Sequence, residues 1–98
     1  YQRGQADKAL PLAKQALDLR KQALGEKHPG YAQSLNNLAT LYKDMGDHRS
    51  ALPLFQQALA IYKQALGEKH PLYAASLNNL AELYRSMGDH RSAVPLYQ

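Results

Sequence analysis

Two asparagine pairs, Asn36-Asn37 and Asn78-Asn79, stand in the middle of stretches that otherwise read as helix. Asparagine has no propensity reason to be there. An amide both donates and accepts, so a ladder of amides can hold the backbone of an extended peptide while reading little of its sequence. Lys43 and Arg85, further along the same stretches, would add a preference for acidic side chains or a carboxylate. The plainer use of one asparagine in each pair is to hydrogen-bond a neighbouring helix and fix the packing. His28 with His70, and His48 with His90, are also paired, each couple 42 residues apart. Histidines offset by one packed layer lie about 10 Å apart, too far to share an ion held at about 2 Å. A structural role at helix starts is therefore expected, with no metal and no cofactor. Enzyme constellations are missing: no cysteine, Gly-rich phosphate loop, His-Glu zinc motif or nucleophile elbow occurs. Ser34 and Ser76 flank the asparagines and are expected to face a neighbouring helix. The acidic residues show no spacing that suggests acid–base work.

These residues are carried by a repeat. Ala23-Leu-Gly-Glu-Lys-His-Pro29, Tyr31-Ala32, Ser34 through Ala39, Leu41-Tyr42 and Met45 through Ser50 all recur 42 residues later. Residues 9–56 match residues 51–98 at 36 of 48 positions. A period of this length is the signature of a repeat array, in which each unit buries its apolar face only by stacking on the next.

Composition agrees with a small globular domain. The 98 residues are 45% apolar, enough to escape the disordered class. A chain this size buries about two-thirds of its unfolded surface. No apolar run approaches the roughly 18 residues of a membrane span, and the first residues do not form a signal peptide. The net charge of +4 is dispersed, without any run of Lys and Arg, so neither a nucleic acid nor a membrane is the expected partner.

Periodicity divides the chain into helices. Residues 5–24 keep apolar positions close to a 3.6-residue period, through Ala9, Leu10, Leu12, Ala13, Ala16, Leu17, Leu19, Ala23 and Leu24. Gly25 stops this helix as a left-handed cap. Pro29 fits the first helical position of a second helix, about 29–45, with Leu35, Leu38, Ala39, Tyr42 and Met45 on its core face. Gly46 ends it, and Asp47 caps a third helix, about 48–66. That helix carries one stripe of Ala51, Phe55, Ala58, Tyr62 and Ala65 and a second of Leu52, Leu59 and Leu66. Two stripes imply a partner helix on each side. A fourth helix, about 71–87, repeats the second, and His90 through Gln98 begin a fifth that is cut short. Pro11, Pro53 and Pro95 lie near the second turn of their helices, where one lost hydrogen bond is absorbed. A continuous helix with a slight bend at Pro53 is expected; the alternative starts later, with Ser50 as cap.

With Leu35, Leu38-Ala39, Tyr42, Ala51 and Phe55, and again Leu77, Leu80-Ala81, Tyr84, Ala93 and Tyr97, the chain resembles the tetratricopeptide-repeat family. Ala9 and Ala13 match the tail of an earlier unit. Leu35 and Leu77 replace the family's tryptophan, and Ala39 and Ala81 its glycine. The proline that closes the second helix is absent, and the period is 42 where about 34 is standard. The Gly-x-x-His-Pro turn and the Leu-Asn-Asn-Leu-Ala core resemble the kinesin-light-chain type of this repeat. The resemblance implies an all-α, right-handed superhelix of antiparallel helix pairs and a protein-binding role. It also implies that the first helix of each pair lines a concave groove. On that basis the groove residues are Gln33, Asn36, Asn37, Thr40 and Lys43 on one helix and Asn78, Asn79, Glu82 and Arg85 on the next.

The expectation is a single domain over 1–98: a partial unit at 5–24, a full pair at 29–66, and a pair at 71–98 with a truncated second helix. It would bind an extended, preferentially acidic peptide or partner segment in a cytoplasmic setting, without enzymatic activity. One alternative is a purely architectural array. The other is RNA binding by a helical-repeat surface, against which the dispersed charge argues. End-to-end self-association is also expected. Leu10, Leu17 and Leu24 should have one uncovered side, and the short last helix should leave Leu77 and Leu80 partly bare.

Overall fold

The glycine-centred turns set where each helix stops, and the turn residues themselves set where the next begins. The computed structural model describes residues 3–88, with side chains from residue 7. It contains four helices: α1 (Arg3–Leu24), α2 (Pro29–Asp44), α3 (His48–Leu66) and α4 (Pro71–Ser86). Each agrees with its sequence-based span to within two residues. The fifth helix expected over 90–98, with Ala93, Pro95 and Tyr97, lies outside the described residues.

The helix starts repeat one another. His28 and His70 are the N-caps of α2 and α4, with Pro29 and Pro71 following. The Nδ1 atom of His28 accepts from the Gly30 N–H at 2.9 Å, and that of His70 from the Leu72 N–H at 3.1 Å. Each ring satisfies one of the first N–H groups that a helix leaves without a partner. At α3 the cap is Asp47, whose carboxylate accepts from the Ser50 N–H at 3.2 Å and the Ser50 hydroxyl at 2.7 Å. The helix starting at Ser50 is thereby excluded, and α3 runs unbroken through Pro53. At its other end Gly67 has φ 88° and ψ 164°. The positive φ matches the cap expected of its repeat counterpart Gly25, but the ψ is extended rather than left-handed helical, a combination that glycine alone reaches comfortably.

Sequence neighbours pack on one another, α1 on α2, α2 on α3 and α3 on α4. Two clusters form the core. One joins Tyr31, Ala32 and Leu35 of α2 to Ala58, Ile61 and Tyr62 of α3, with Leu17, Leu54, Leu66 and Tyr73 against it. The other joins Ala39, Ala51, Phe55, Leu80 and Leu83. Helix α3 therefore lies between α2 and α4, which is why it needs two apolar stripes.

The stripes differ from expectation in detail. Ala65 is exposed, and Ile61 is the buried residue near that end of α3. On α1, Leu10 and Leu17 are half-buried and Leu24 is 44% exposed, but the barest leucines are Leu12 at 67% and Leu19 at 59%. Leu80 is not bare: it is buried in the cluster with Ala51 and Phe55, whereas Leu77 is half-buried. The small Ala39 and Ala81 are fully buried, as close helix approach requires.

Candidate functional site

Burial of Leu35, Leu38 and Ala39 on one side of α2 turns residues 33, 37 and 40 outward, since i, i+4 and i+7 share a helix face. Gln33, Asn37 and Thr40 are all exposed, while Asn36 and Lys43 are half-buried on one flank of that face. On α4, Asn78 and Arg85 are exposed, and Asn79 and Glu82 are half-buried.

The two members of the first asparagine pair do different things. Asn36 leans toward α4, where its Nδ2 donates to the Ser76 hydroxyl at a long 3.5 Å. Ser76 is 1% exposed, so this contact joins the first helices of successive units inside the fold. The Oδ1 of Asn36 is buried without a hydrogen-bond partner. The phenol of Tyr62 is pushed up from its usual pKa by burial, with the Asn36 amide opposing that shift. Asn37 leans the other way, into an open cleft of about 390 Å³ shared with Ala9, Ala13, Thr40 and Leu41. Its side chain makes no hydrogen bond among the described residues, and neither do those of Asn78 and Asn79.

The charged members are partly committed. Arg85 lies 3.6 Å from Glu82 one turn earlier, an exposed pairing of the kind worth little in stability. Glu82 nonetheless offsets the positive field of Arg85 next to Asn78 and Asn79. Lys43 makes no ion pair among the described residues. The Thr40 hydroxyl donates back to the Asn36 carbonyl at 2.8 Å, which leaves its oxygen free to accept.

One contributor to this surface was missed in the sequence. Arg20 of α1 reaches across to α2, where its Nη1 donates to the Gly30 carbonyl at 3.0 Å and to the Gln33 Oε1 at 3.3 Å. Gln33, expected as a groove residue, is thus held by α1. The signal was available as a difference between repeats, since positions 20, 30 and 33 do not match positions 62, 72 and 75.

His28 and His70 act at helix starts as caps and His48 is the first residue of α3, while His90 lies outside the described residues. Among the described residues no group of three potential ligands could hold a metal ion. No described helix is long and apolar enough to cross a membrane.

Comparison with known proteins places this architecture. The family profile described as "Tetratricopeptide repeat" matches residues 1–64 and 51–98. BtubC (BKLC) from P. vanneervenii is similar over 95% of this chain, with a TM-score of 0.87 and 29% identity. The nearly identical TPR-like repeats of a kinesin light chain protein from Podosopora anserina are similar over 95% of the chain, with a TM-score of 0.81 and 32% identity. The chain spans 37% and 44% of the length of those two structures. No curated protein matches it.

Proposed function

Since the chain belongs to the tetratricopeptide-repeat family, of the kinesin-light-chain-like type and built as a protein-interaction scaffold, we propose that it binds an extended peptide or partner segment along α2 and α4. One observation carries this reading. Asn37, Asn78 and Asn79 sit mid-helix, exposed or half-exposed, on two helices joined at Asn36 and Ser76, and no hydrogen bond within the described fold uses their side chains. An amide kept in a helix at a cost in propensity, and not used by the fold, is available to a peptide backbone. Lys43 and the Arg85 end of α4 bias the surface toward acidic segments, with Glu82 moderating that bias.

The test is fluorescence anisotropy with a library of labelled extended peptides graded in acidity. Binding should be lost when Asn37 and Asn79 are both changed to Ala while the melting temperature stays within a few degrees. Arg85→Glu should weaken acidic peptides more than neutral ones. Unchanged binding in the double variant, or a double variant that unfolds, would remove the groove assignment.

A second reading, a scaffold that binds further copies of itself, is favoured by the bare leucines of α1, Leu12 and Leu19, and by exposed Leu72 and Met87 on and after α4.

A further inference from the structure

Twelve of the 48 aligned positions differ between the two copies of the repeat, and three of these differences meet at one place. Arg20, Gly30 and Gln33 form a single contact between α1 and α2, with Arg20 Nη1 on the Gly30 carbonyl and the Gln33 amide oxygen. Their counterparts 42 residues on are Tyr62, Leu72 and Ala75. We propose that Arg20, Gly30 and Gln33 are a matched set that selects α2, and not its near-copy α4, as the partner of α1.

The chemistry of the two triplets is not interchangeable. An arginine at position 20 stays charged and needs acceptors for its fork of donors. The α2 helix provides a carbonyl and a side-chain oxygen. Tyr62, the counterpart of Arg20, is instead 3% exposed within the α2–α3 core, in the cluster with Tyr31, Ala32 and Leu35 of α2. A guanidinium there would be desolvated, and Ala75 would offer no side-chain acceptor.

Position 30 adds a weaker, steric difference, since the tip of the exposed Leu24 side chain would have to move aside for a larger residue. A Cβ on Gly30 would come within 2.7 Å of Leu24 Cδ1 and 3.2 Å of His28 Nδ1. Yet the equivalent residue of α4 is Leu72, although Leu66 and His70 repeat Leu24 and His28. The leucine at the end of the preceding helix accounts for the difference. Leu66 packs against the α2–α3 cluster, while Leu24 is 44% exposed and its tip lies over Gly30. Identical residues thus take different places, and the differing ones accommodate them.

Helices α2 and α4 are close copies and compete for the same docking faces, a known hazard for folding repeat proteins. Were α4 to dock on α1 in place of α2, Leu72 would meet Leu24, and Arg20 would face Ala75 instead of Gln33. Penalties placed on the wrong pairing select the right one.

The test is a thermodynamic cycle in urea on the full chain. Its variants are Arg20→Tyr, the pair Gly30→Leu with Gln33→Ala, and all three together. Each partial exchange should lower the folding equilibrium constant about tenfold or more. The complete exchange should lose at least about fivefold less than the product of the partial losses, because coupled sites are non-additive. If a partial exchange does not fold, a folded complete exchange still supports the matched set. Losses that multiply within about twofold, or a complete exchange that unfolds along with the partial ones, overturn it.

Discussion

At the residue scale, helix starts are held by a histidine in two places and an aspartate in a third. The imidazole caps work through Nδ1 as an acceptor, so the capping form is the neutral ring with its proton on Nε2. Changing His28 to Ala should cost about 1 kcal/mol, as loss of an N-cap does, and His28→Asn should recover most of it. Equal losses in the two variants by chemical denaturation would show that the ring contributes packing and not a cap. Asp47 behaves differently because it is charged. Its hydrogen bonds from the Ser50 hydroxyl and then the Ser50 N–H hold its carboxyl below the usual 3.8. A carboxylate with a lowered folded pKa contributes stability that is fully present above its unfolded value and is lost as the pH falls through the folded one. The Asp47 contribution should therefore be constant above about pH 5 and decline below pH 4. Asp47→Asn should flatten that part of the pH–stability curve while leaving the melt at pH 7 nearly unchanged. A curve of identical shape in both proteins would contradict the linkage.

At the scale of elements, helix boundaries were legible because each turn is written in residues with a single conformational use. Gly67 adopts a positive φ, Pro71 needs no N–H, and Asp47 offers a carboxylate. The core face of α2 was legible for the same reason that it is buried, since Leu35, Leu38 and Ala39 recur with the helical period. Leu38 is 4% exposed, so Leu38→Ala should cost about 2–5 kcal/mol, whereas Lys27→Ala on the exposed turn should cost under about 0.5 kcal/mol. Similar urea midpoints for the two would refute the assigned face. What could not be read was the side toward which each polar residue leans. Asn36 and Asn37 are equivalent by composition and neighbours in sequence, yet one meets Ser76 and the other opens onto Ala9 and Ala13. That split depends on a rotation of about 100° between successive helical residues relative to helices whose placement the pattern did not fix. Ala65 was misassigned similarly, because its stripe has turned away from α2 by the last turn of α3. The Arg20 contact escaped because repeat identity draws attention to matching positions, and this contact is built from non-matching ones.

At the scale of the whole molecule, the repeat supplies an internal measure of what a covered helix looks like. Ile61 is 8% exposed and Leu54 is half-buried against α2. Their counterparts on α1, Leu19 and Leu12, are 59% and 67% exposed. Among the described residues, no helix is placed on α1 as α2 is placed on α3. Helix α4 carries the matching chemistry, since Tyr73, Ala74 and Leu77 repeat Tyr31, Ala32 and Leu35, and all three are less buried than their counterparts on α2. A repeat surface of this kind is satisfied by stacking, so α4 of one copy should dock on α1 of another in the manner of α2 on α3. Such a contact is head-to-tail and propagates unless it closes by helix exchange. The 98-residue chain should therefore grow in average mass with concentration in light scattering, through an interface burying more than about 1,000 Å² in total. Leu12→Glu with Leu19→Glu should return it to a monomer with little change in melting temperature, because both side chains are exposed and exposed substitutions usually shift stability by about 0.5 kcal/mol or less. A parent chain that stays monomeric to millimolar concentration, or a double variant that associates as strongly as the parent, would show that these leucines are not the contact.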